Sequence, residues 1–201
     1  MSANCNWNQD FIPTNCQDYA IGGATGRVWI INKDAWDNAT ITTGTDGEIT
    51  GITLTRTGDQ SYKIETTRGS ITTDSPVTQN AGGISGFTHT LNMVIPEMSQ
   101  KMKNSISSLV NVNLAVVIVE TQAPKPATSG TGDTKSPPYL VFGDTNGLEL
   151  STSGLNLGDQ ATGGSVTITL TSPAASQLEL NLPVNTDMST ADIEAIETPV
   201  I

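Results

Sequence analysis

Two glycine-rich segments of this chain partly resemble a nucleophilic serine motif and a phosphate-binding loop, but neither segment matches its motif. A nucleophilic serine needs Gly-x-Ser-x-Gly at a strand-to-helix turn. In residues 82–86 (GGISG), Ser85 stands one place too late and no helical pattern follows. A phosphate loop needs Gly-x-x-x-x-Gly-Lys, or Gly-x-Gly-x-x-Gly before a helix. Residues 22–27 (GGATGR) have neither spacing and precede a strand pattern, so we interpret both segments as turns.

Candidate metal ligands and general bases are also sparse. A calcium loop alternates oxygen ligands ahead of a glycine and a distant glutamate, whereas residues 144–147 (DTNG) supply two ligand types and stop. Cys5, Cys16 and His89, the single histidine, are too few for a closed zinc site. His89 lies on the apolar-rich face of a strand pattern, which favours a hydrogen-bonded structural histidine over a general base. We therefore expect no catalytic residue, metal or cofactor, although a carboxylate pair for glycoside hydrolysis is a spatial arrangement that sequence does not reveal.

The N-terminal residues, MSANCNWNQD, lack the basic start and apolar middle of a signal peptide. No apolar run approaches the roughly 20 residues that span a bilayer. We therefore expect synthesis in the cytoplasm, where Cys5 and Cys16 stay free thiols; a disulfide that pins an N-terminal loop is the alternative. The glycosylation sequon at Asn38 is then without consequence.

The formal net charge of −11 is concentrated in the last third of the chain. No lysine or arginine follows Lys135, whereas eight acidic residues do: Asp144, Glu149, Asp159, Glu179, Asp187, Asp192, Glu194 and Glu197. Nucleic-acid binding depends on Lys and Arg that displace counterions from phosphates, so tight binding is not expected. A solubilising acidic surface is the simpler interpretation, and a wall that must not bind an anionic molecule is the more specific one.

Apolar and polar residues alternate along many short segments that turn signals separate. Thr45-Asp46-Gly47 separates two such segments, and the turn signal DTNG separates two more within residues 139–150 (YLVFGDTNGLEL), so we predict a hairpin at each. Residues 27–36 (RVWIINKDAW) and 87–95 (FTHTLNMVI) also alternate as strands do. Short strands at this rhythm predict a mainly β fold, an antiparallel sandwich or barrel.

One segment before the C-terminal region has helical spacing. In residues 97–110 the apolar positions Met98, Met102, Ile106, Leu109 and Val110 recur at helical intervals. Residues 113–120 (NLAVVIVE) follow and are apolar on both faces, so they belong at the centre of a sheet. We predict one flanking α-helix at about 97–110 that covers one face of the sheet.

The chain divides into three parts. Residues 1–24 are predicted to form an N-terminal arm, and residues 25–185 a β-sandwich or barrel domain with long loops at 74–86 and 121–138. Residues 186–201 form an acidic C-terminal tail, either a short helix with Ser189 or Thr190 as its N-cap or an extended arm.

The pattern as a whole, including YLVFGDTNGLEL, resembles the tail tube (major tail) proteins of bacteriophages, in particular those of phages of Bacteroidota. The resemblance covers most of residues 25–185. It implies a virion structural protein whose β subunits form rings, hexameric in the family, that stack into a hollow tube for DNA passage. Implied partners are other copies of the chain and further tail proteins such as the terminator, tape measure and baseplate, with no membrane and no specific DNA binding.

The resemblance also places contacts between subunits on the arm and the long loops. The residues expected there are Trp7, Phe11, Pro76, Gly82, Gly83, Pro124, Lys125 and Lys135. Lys125 and Lys135 are expected to meet acidic groups of a neighbouring subunit. An acidic lumen would repel DNA within a screening length of about 8–10 Å, which allows passage without binding.

Two other functions remain open at the level of sequence. The first is another kind of surface module, either a capsid decoration protein or an adhesin or carbohydrate-binding β module. Its polar loops would bind a partner or a glycan. The second is an enzyme on a β scaffold, for which no motif gives positive support.

Overall fold

The protein is mainly β, as predicted. A computed structural model describes residues 23–67, 69–79, 83, 85–96, 99–100, 103–104, 106–107, 114–122, 138–156, 164–173, 178–179 and 181–200. The strands are β1 (Ala24–Asn32), β2 (Thr40–Thr43), β3 (Ile49–Thr53), β4 (Tyr62–Glu65), β5 (Ile71–Asp74), β6 (Val77–Gln79), β7 (Ser85–Phe87), β8 (Thr90–Ile95), β9 (Ala115–Thr121), β10 (Tyr139–Phe142), β11 (Glu149–Asn156), β12 (Ser165–Thr171) and β13 (Val184–Thr186). Two short helices are α1 (Lys33–Asp37) and α2 (Thr190–Ala195).

The larger sheet has seven strands in the order β2-β3-β13-β10-β9-β1-β4. All its neighbours are antiparallel except β13 and β3, which run parallel and share a single residue pair, Thr186 with Ile49. Strand β9 lies between β10 and β1, and all seven of its residues are buried. The prediction of a central strand from an apolar run without alternation is therefore confirmed, because a strand covered on both faces has no polar side.

The smaller sheet has four antiparallel strands in the order β11-β12-β8-β5 and packs against one face of the larger sheet. Alternate residues of the strands enter this interface, such as Val28 and Ile30 from β1 and Leu91 and Met93 from β8. The same core contains Ile71, Ile95, Ala115, Val117, Val119, Phe142, Leu148, Val166, Ile168 and Leu170. Two sheets that share one apolar layer form a sandwich.

A second apolar core lies on the other face of the larger sheet. Trp29 and Ile31 of β1 point to it, which is the alternation with Val28 and Ile30 that the sequence indicates. Met188, Ile193 and Ile196 cover this core from the C-terminal side. The predicted acidic tail, residues 186–201, thus begins at the last residue of β13 and contains a helix, α2, whose Ile193 is buried.

The residues around α2 form the N-cap that the sequence indicates. Ser189 accepts a hydrogen bond from the backbone N–H of Asp192, whose carboxylate accepts one from the backbone N–H of Ser189. This reciprocal capping box satisfies two amide groups that the helix leaves unpaired. Of the two alternatives for this segment, helix or arm, the structure has the helix.

The flanking helix is seen in part. Five described residues of this segment are helical: Gln100, Lys103, Asn104, Ile106 and Ser107. The Lys103 N–H donates to the Ser99 carbonyl at 3.1 Å. Ile106 packs against the core between the two sheets. The remainder of the predicted helix at 97–110 lies outside the described residues.

Two local predictions differ from the structure. Residues 27–36 were expected as one strand, but β1 ends at Asn32 and α1 follows, with Trp36 buried in the second core. Residues 139–150 were expected as a hairpin, but β10 belongs to the larger sheet and β11 to the smaller one. The turn itself is present, with positive φ at Gly143 and Gly147. The chain crosses between sheets there, which local turn chemistry does not distinguish from a hairpin.

Candidate assembly surfaces

Eight residues were predicted to form contacts between subunits. Six of them lie outside the described residues: Trp7, Phe11, Gly82, Pro124, Lys125 and Lys135. Pro76 and Gly83 lie on one feature, the hairpin of β6 and β7. The segment 74–86, expected as a long ordered loop or a projecting arm, contains β6 and the start of β7, which pair with each other.

The β6–β7 hairpin is anchored at its base and exposed beyond it. The Thr88 N–H donates to the Pro76 carbonyl at 3.1 Å, and the Phe87 N–H donates to the Glu179 carbonyl at 2.7 Å. Val77 is 69% exposed, and an added Cβ at Gly83, where φ is +77°, would meet no atom within 4 Å. The hairpin thus presents the Val77 side chain and Gly83 to solvent.

The base of the second long loop is closed. The Thr121 N–H donates to the Pro138 carbonyl at 2.9 Å, and β9 and β10 pair antiparallel from Tyr139 and Glu120 onward. Residues 123–137, which include the predicted lysines, lie outside the described residues.

His89 is buried at the base of the hairpin, with 2% of its surface exposed. Its Nδ1 lies 2.8 Å from Ser75 Oγ, and its ring packs edge-on against Phe142 with 5.8 Å between centroids. The Ser172 hydroxyl accepts from the His89 N–H at 2.9 Å. Burial lowers the pKa of His89, opposed by the nearby charge of Glu179 and by a hydrogen bond to the Asn181 backbone. The histidine is buried and hydrogen-bonded, as the sequence indicates.

Ser75 is the partner that sequence reasoning missed. It lies 14 positions before His89 and joins it only because β5 and β8 pair side by side. A serine beside a histidine is also the first half of a nucleophile pair. Here the ring is enclosed and contacts Ser75, Phe142 and the Asn181 backbone, which is the environment of a structural histidine.

A second buried polar cluster joins β1 to β9. Arg27 donates through Nε and Nη2 to the carboxylate of Glu120, at 2.8 and 2.6 Å, and the Thr25 hydroxyl donates to the same carboxylate. The Glu120 side chain is fully buried, whereas the Arg27 side chain is 36% exposed. The sequence signal for this cluster is an acidic residue at the end of an apolar strand, AVVIVE, which needs a cationic partner if it is buried.

Several acidic residues of the last third bind within the subunit. Asp144 accepts from Trp36 Nε1 at 2.9 Å, Glu179 from the Asn146 N–H at 2.7 Å, and Glu197 from Trp29 Nε1 at 2.7 Å. Asp192 belongs to the capping box, and Asp187 is buried. The interpretation of these residues as a continuous acidic surface is therefore too simple. Among described residues of this third, Glu194 is exposed and Glu149 is half-buried.

Within the described part of the chain, the two outermost strands of the larger sheet and of the smaller sheet pair with a neighbour on one side only. In the larger sheet these edge strands are β2 and β4, and in the smaller sheet they are β5 and β11. Tyr62 of β4 is 53% exposed and Leu155 of β11 is 52% exposed. Lys63 and Glu65 of β4 form an ion pair at 3.2 Å, and the hydrogen bond to Glu65 raises the pKa of Lys63.

A shallow groove runs beside β11. Lys103 and Ile106 of the helical segment form one side of it, and Leu155 and Val166 lie on the other. Ser153 and Gly154 of β11 also line the groove.

Among the described residues, His, Cys, Asp and Glu side chains do not gather in groups of three or more that could hold a metal ion. Nor does that part of the chain contain a helix long and apolar enough to cross a membrane.

Comparisons of the chain with family models, with curated proteins and with solved structures give no match.

Proposed function

We propose that this chain is a structural virion protein that self-assembles into stacked, hexameric rings forming the hollow tail tube of a phage, through which DNA passes. The observation that carries the proposal is the pair of open sheet edges, β4 and β11, each with an exposed apolar side chain, Tyr62 or Leu155. The resemblance of the sequence to tail tube proteins is the reason for proposing a tube of stacked hexameric rings and not another assembly.

Open edges with apolar side chains are a liability in a monomeric protein. Unpaired N–H and C=O groups on an edge strand are a template for pairing with another chain. Monomeric proteins protect such edges with short strands, charges, prolines or bulges, whereas an assembling subunit uses them to continue its sheet into a neighbour. Strand β4 has four residues and carries Lys63 and Glu65, whereas β11 has eight residues and a register shift between Leu150 and Thr152. The regular stretch of β11 after that shift, which includes Leu155, is long enough to form such a joint.

The two contact surfaces have different roles in the proposed assembly. Edge-to-edge pairing is a heterologous contact, because a different edge of each subunit takes part. Subunits joined in this way close into a ring when the rotation from one to the next is a whole-number fraction of a full turn. The β6–β7 hairpin, with Val77, Pro76 and Gly83, projects beyond its anchored base and serves the contact between rings. Residues 121–138 serve the same contact from the β9–β10 end of the sandwich.

The charge of the subunit suits a conduit for DNA. Asp46, Asp74 and Glu194 carry exposed carboxylates, and the net charge is −11. Acidic groups that line a bore repel phosphates within about 8–10 Å at physiological salt. DNA then passes without binding, because no cationic wall replaces its counterions.

Electron microscopy of the purified full chain at rising concentration tests the proposal directly. Rings or tubes with a uniform bore are expected. A strict monomer at millimolar concentration contradicts it and favours the alternative of a decoration protein or surface module. Incubation of the assemblies with duplex DNA at low salt is the accompanying measurement, and coating of the outer and inner walls by DNA also contradicts the proposal.

Edge variants identify the contact that forms the ring. Leu155→Lys and Tyr62→Lys each place a charge on an edge strand that pairing would remove from water. We expect each to raise the concentration needed for assembly about tenfold or more, which corresponds to about 1.4 kcal/mol per contact. Val94→Lys is the matched control, because Val94 is an exposed valine on β8, between β12 and β5. Equal effects of all three variants would contradict an edge-to-edge joint.

A further inference from the structure

The C-terminal segment forms a strap, residues 184–200, that completes the larger sheet and covers its second core. Its first part, β13, fills the one-strand gap between β10 and β3. Its second part places Met188, Ile193 and Ile196 on the second core. Without the strap, β10 would have an unpaired edge in the middle of the sheet, because no other described strand lies between β10 and β3.

The strap is held to the body by contacts that are spread along it. The Asp187 N–H donates to the Ile49 carbonyl at 2.9 Å, and Tyr139 OH donates to Thr190 Oγ1 at 2.9 Å. Near its end, Val200 exchanges two backbone hydrogen bonds with Gly58 and Asp59, at 2.8 and 3.1 Å. All of these bonds join one continuous terminal segment to a body formed by earlier residues, so the segment can be transferred as a unit.

The fit of the strap is incomplete. Strand β13 pairs with β3 through one residue pair only. Three buried side-chain oxygens where the strap meets the body have no hydrogen-bond partner in the described part of the chain: Asp59 Oδ2, Ser61 Oγ and Thr186 Oγ1. Buried polar atoms without partners weaken the contact that buries them. The body therefore holds the strap less tightly than a fully satisfied central strand would be held.

The link between strap and body is exposed. Asn181 is exposed and Leu182 is 56% exposed, and Pro183 follows directly before β13. Residues 180–183 span at most roughly 14 Å when extended, at about 3.5 Å per residue. A strap that leaves its own body can thus reach an acceptor gap only on a subunit in direct contact.

We propose that the strap is exchanged between copies during assembly, so that the strap of one subunit fills the gap between β3 and β10 of the next. The inference rests on the proposed self-assembly and names its interlock. Exchange of identical segments keeps every strap contact and costs little free energy. Neighbours held in a ring present their gaps at a high effective concentration, which favours the exchanged form. Exchange in one direction around a ring links all subunits.

Cysteine pairs across the strap contact distinguish the two forms. Leu140 of β10 and Asn185 of β13 are direct cross-strand partners, within the separation that a disulfide bridges. The double variant Leu140→Cys/Asn185→Cys is made in a Cys5→Ser/Cys16→Ser background, oxidised, and analysed on a denaturing gel without reductant. In dilute monomer the disulfide is expected to form within one chain, which shows that the variant folds and that the two cysteines are close enough to bond. In assembled protein the disulfides are expected to link different chains, which gives a ladder of bands.

A mixture of two single variants gives the sharper readout. Chains with Leu140→Cys alone are assembled with tagged chains that carry Asn185→Cys alone. Exchange predicts linked heterodimers. The pair Val94→Cys/Thr167→Cys is the matched control, because both partners, on β8 and β12, stay on the body and should close within one chain in every state. If assembled protein forms only disulfides within single chains, and the mixture gives no heterodimer, the exchange is overturned while the proposal of a tube still stands. Failure to assemble at all overturns both.

Discussion

At the scale of single residues, buried polar groups of this protein occur in clusters that join segments distant in sequence. His89 meets Ser75 and Ser172, and Glu120 meets Arg27 and Thr25. In these two clusters the His89 ring and the Glu120 carboxylate have hydrogen-bond partners, which is the condition for burying them without a large loss of stability. These clusters make the fold sensitive to the removal of one partner.

The stability of the fold should depend on pH through His89. Burial lowers its pKa in the folded state below the ordinary value of 6.5, so the unfolded chain binds a proton more readily. The free energy of unfolding is therefore expected to be highest above pH 6.5 and to fall as the pH drops from 6.5 toward the folded pKa. His89→Gln should flatten this slope, because His89 is the single histidine. Urea titrations between pH 7.5 and 5.5 measure it, and an unchanged slope in the variant contradicts the assignment.

The Arg27–Glu120 pair should respond unequally to removal of its two partners. Arg27→Ala leaves the fully buried Glu120 carboxylate without its cation and is expected to cost about 3–5 kcal/mol. Glu120→Gln should cost less, because Gln still accepts from Thr25 and the Arg27 side chain, 36% exposed, can be hydrated. Chemical denaturation at pH 7 compares the two. The reverse order would contradict the view that the buried carboxylate depends on Arg27.

At the scale of elements, turn residues fix where strands end but not which sheet the next strand enters. Gly47 lies in the turn of the β2–β3 hairpin, and Gly147 lies in the crossover from β10 to β11. Both have positive φ, at +84° and +74°. The two turns look alike in sequence, and they differ in what packs against them.

Alanine substitutions should separate backbone strain from close packing at these glycines. An added Cβ at Gly47 would meet no atom within 4 Å, whereas at Gly147 it would lie 2.7 Å from Leu114 Cβ. Gly47→Ala is expected to cost about 1–2 kcal/mol, the penalty of a left-handed conformation. Gly147→Ala should cost clearly more, because the chain near Leu114 must also move. Thermal and urea unfolding measure the difference, and equal losses would show that the crossover relaxes freely.

At the scale of the whole molecule, the net charge of −11 opposes association of identical subunits. The edges and the hairpin supply the attraction that assembly requires, while the charge keeps isolated subunits soluble. The balance between the two is set by salt, since exposed charges are screened over the Debye length.

Assembly is therefore expected to become faster and to need less protein as NaCl rises. The screening length falls from about 30 Å at 0.01 M to about 3 Å at 1 M. Light scattering and sedimentation follow the change. The variant Asp46→Asn/Glu194→Gln, with a formal charge of −9 after two carboxylates are removed from −11, should depend less on salt. Assembly that weakens with salt would mean that ion pairs between subunits dominate the joint.

The sequence by itself determined the elements with a clear period. The alternation of Val28 and Ile30 against Trp29 and Ile31, the uninterrupted apolar run of β9 and the Ser189 cap all appear in the structure as the pattern indicates. These features depend on neighbours within a few residues, which local spacing reports directly.

Only the tertiary structure decided how the elements are shared between sheets and which polar groups are buried. The crossover after β10 sends two consecutive strands to different sheets. The insertion of β13 between β10 and β3 and the contacts of His89 with Ser172 and of Glu120 with Arg27 join residues dozens of positions apart. The acidic residues of the last third look alike in sequence, yet Glu179 and Asp187 are buried while Glu194 is exposed. Burial depends on the packing of whole sheets, and no local pattern specifies that packing.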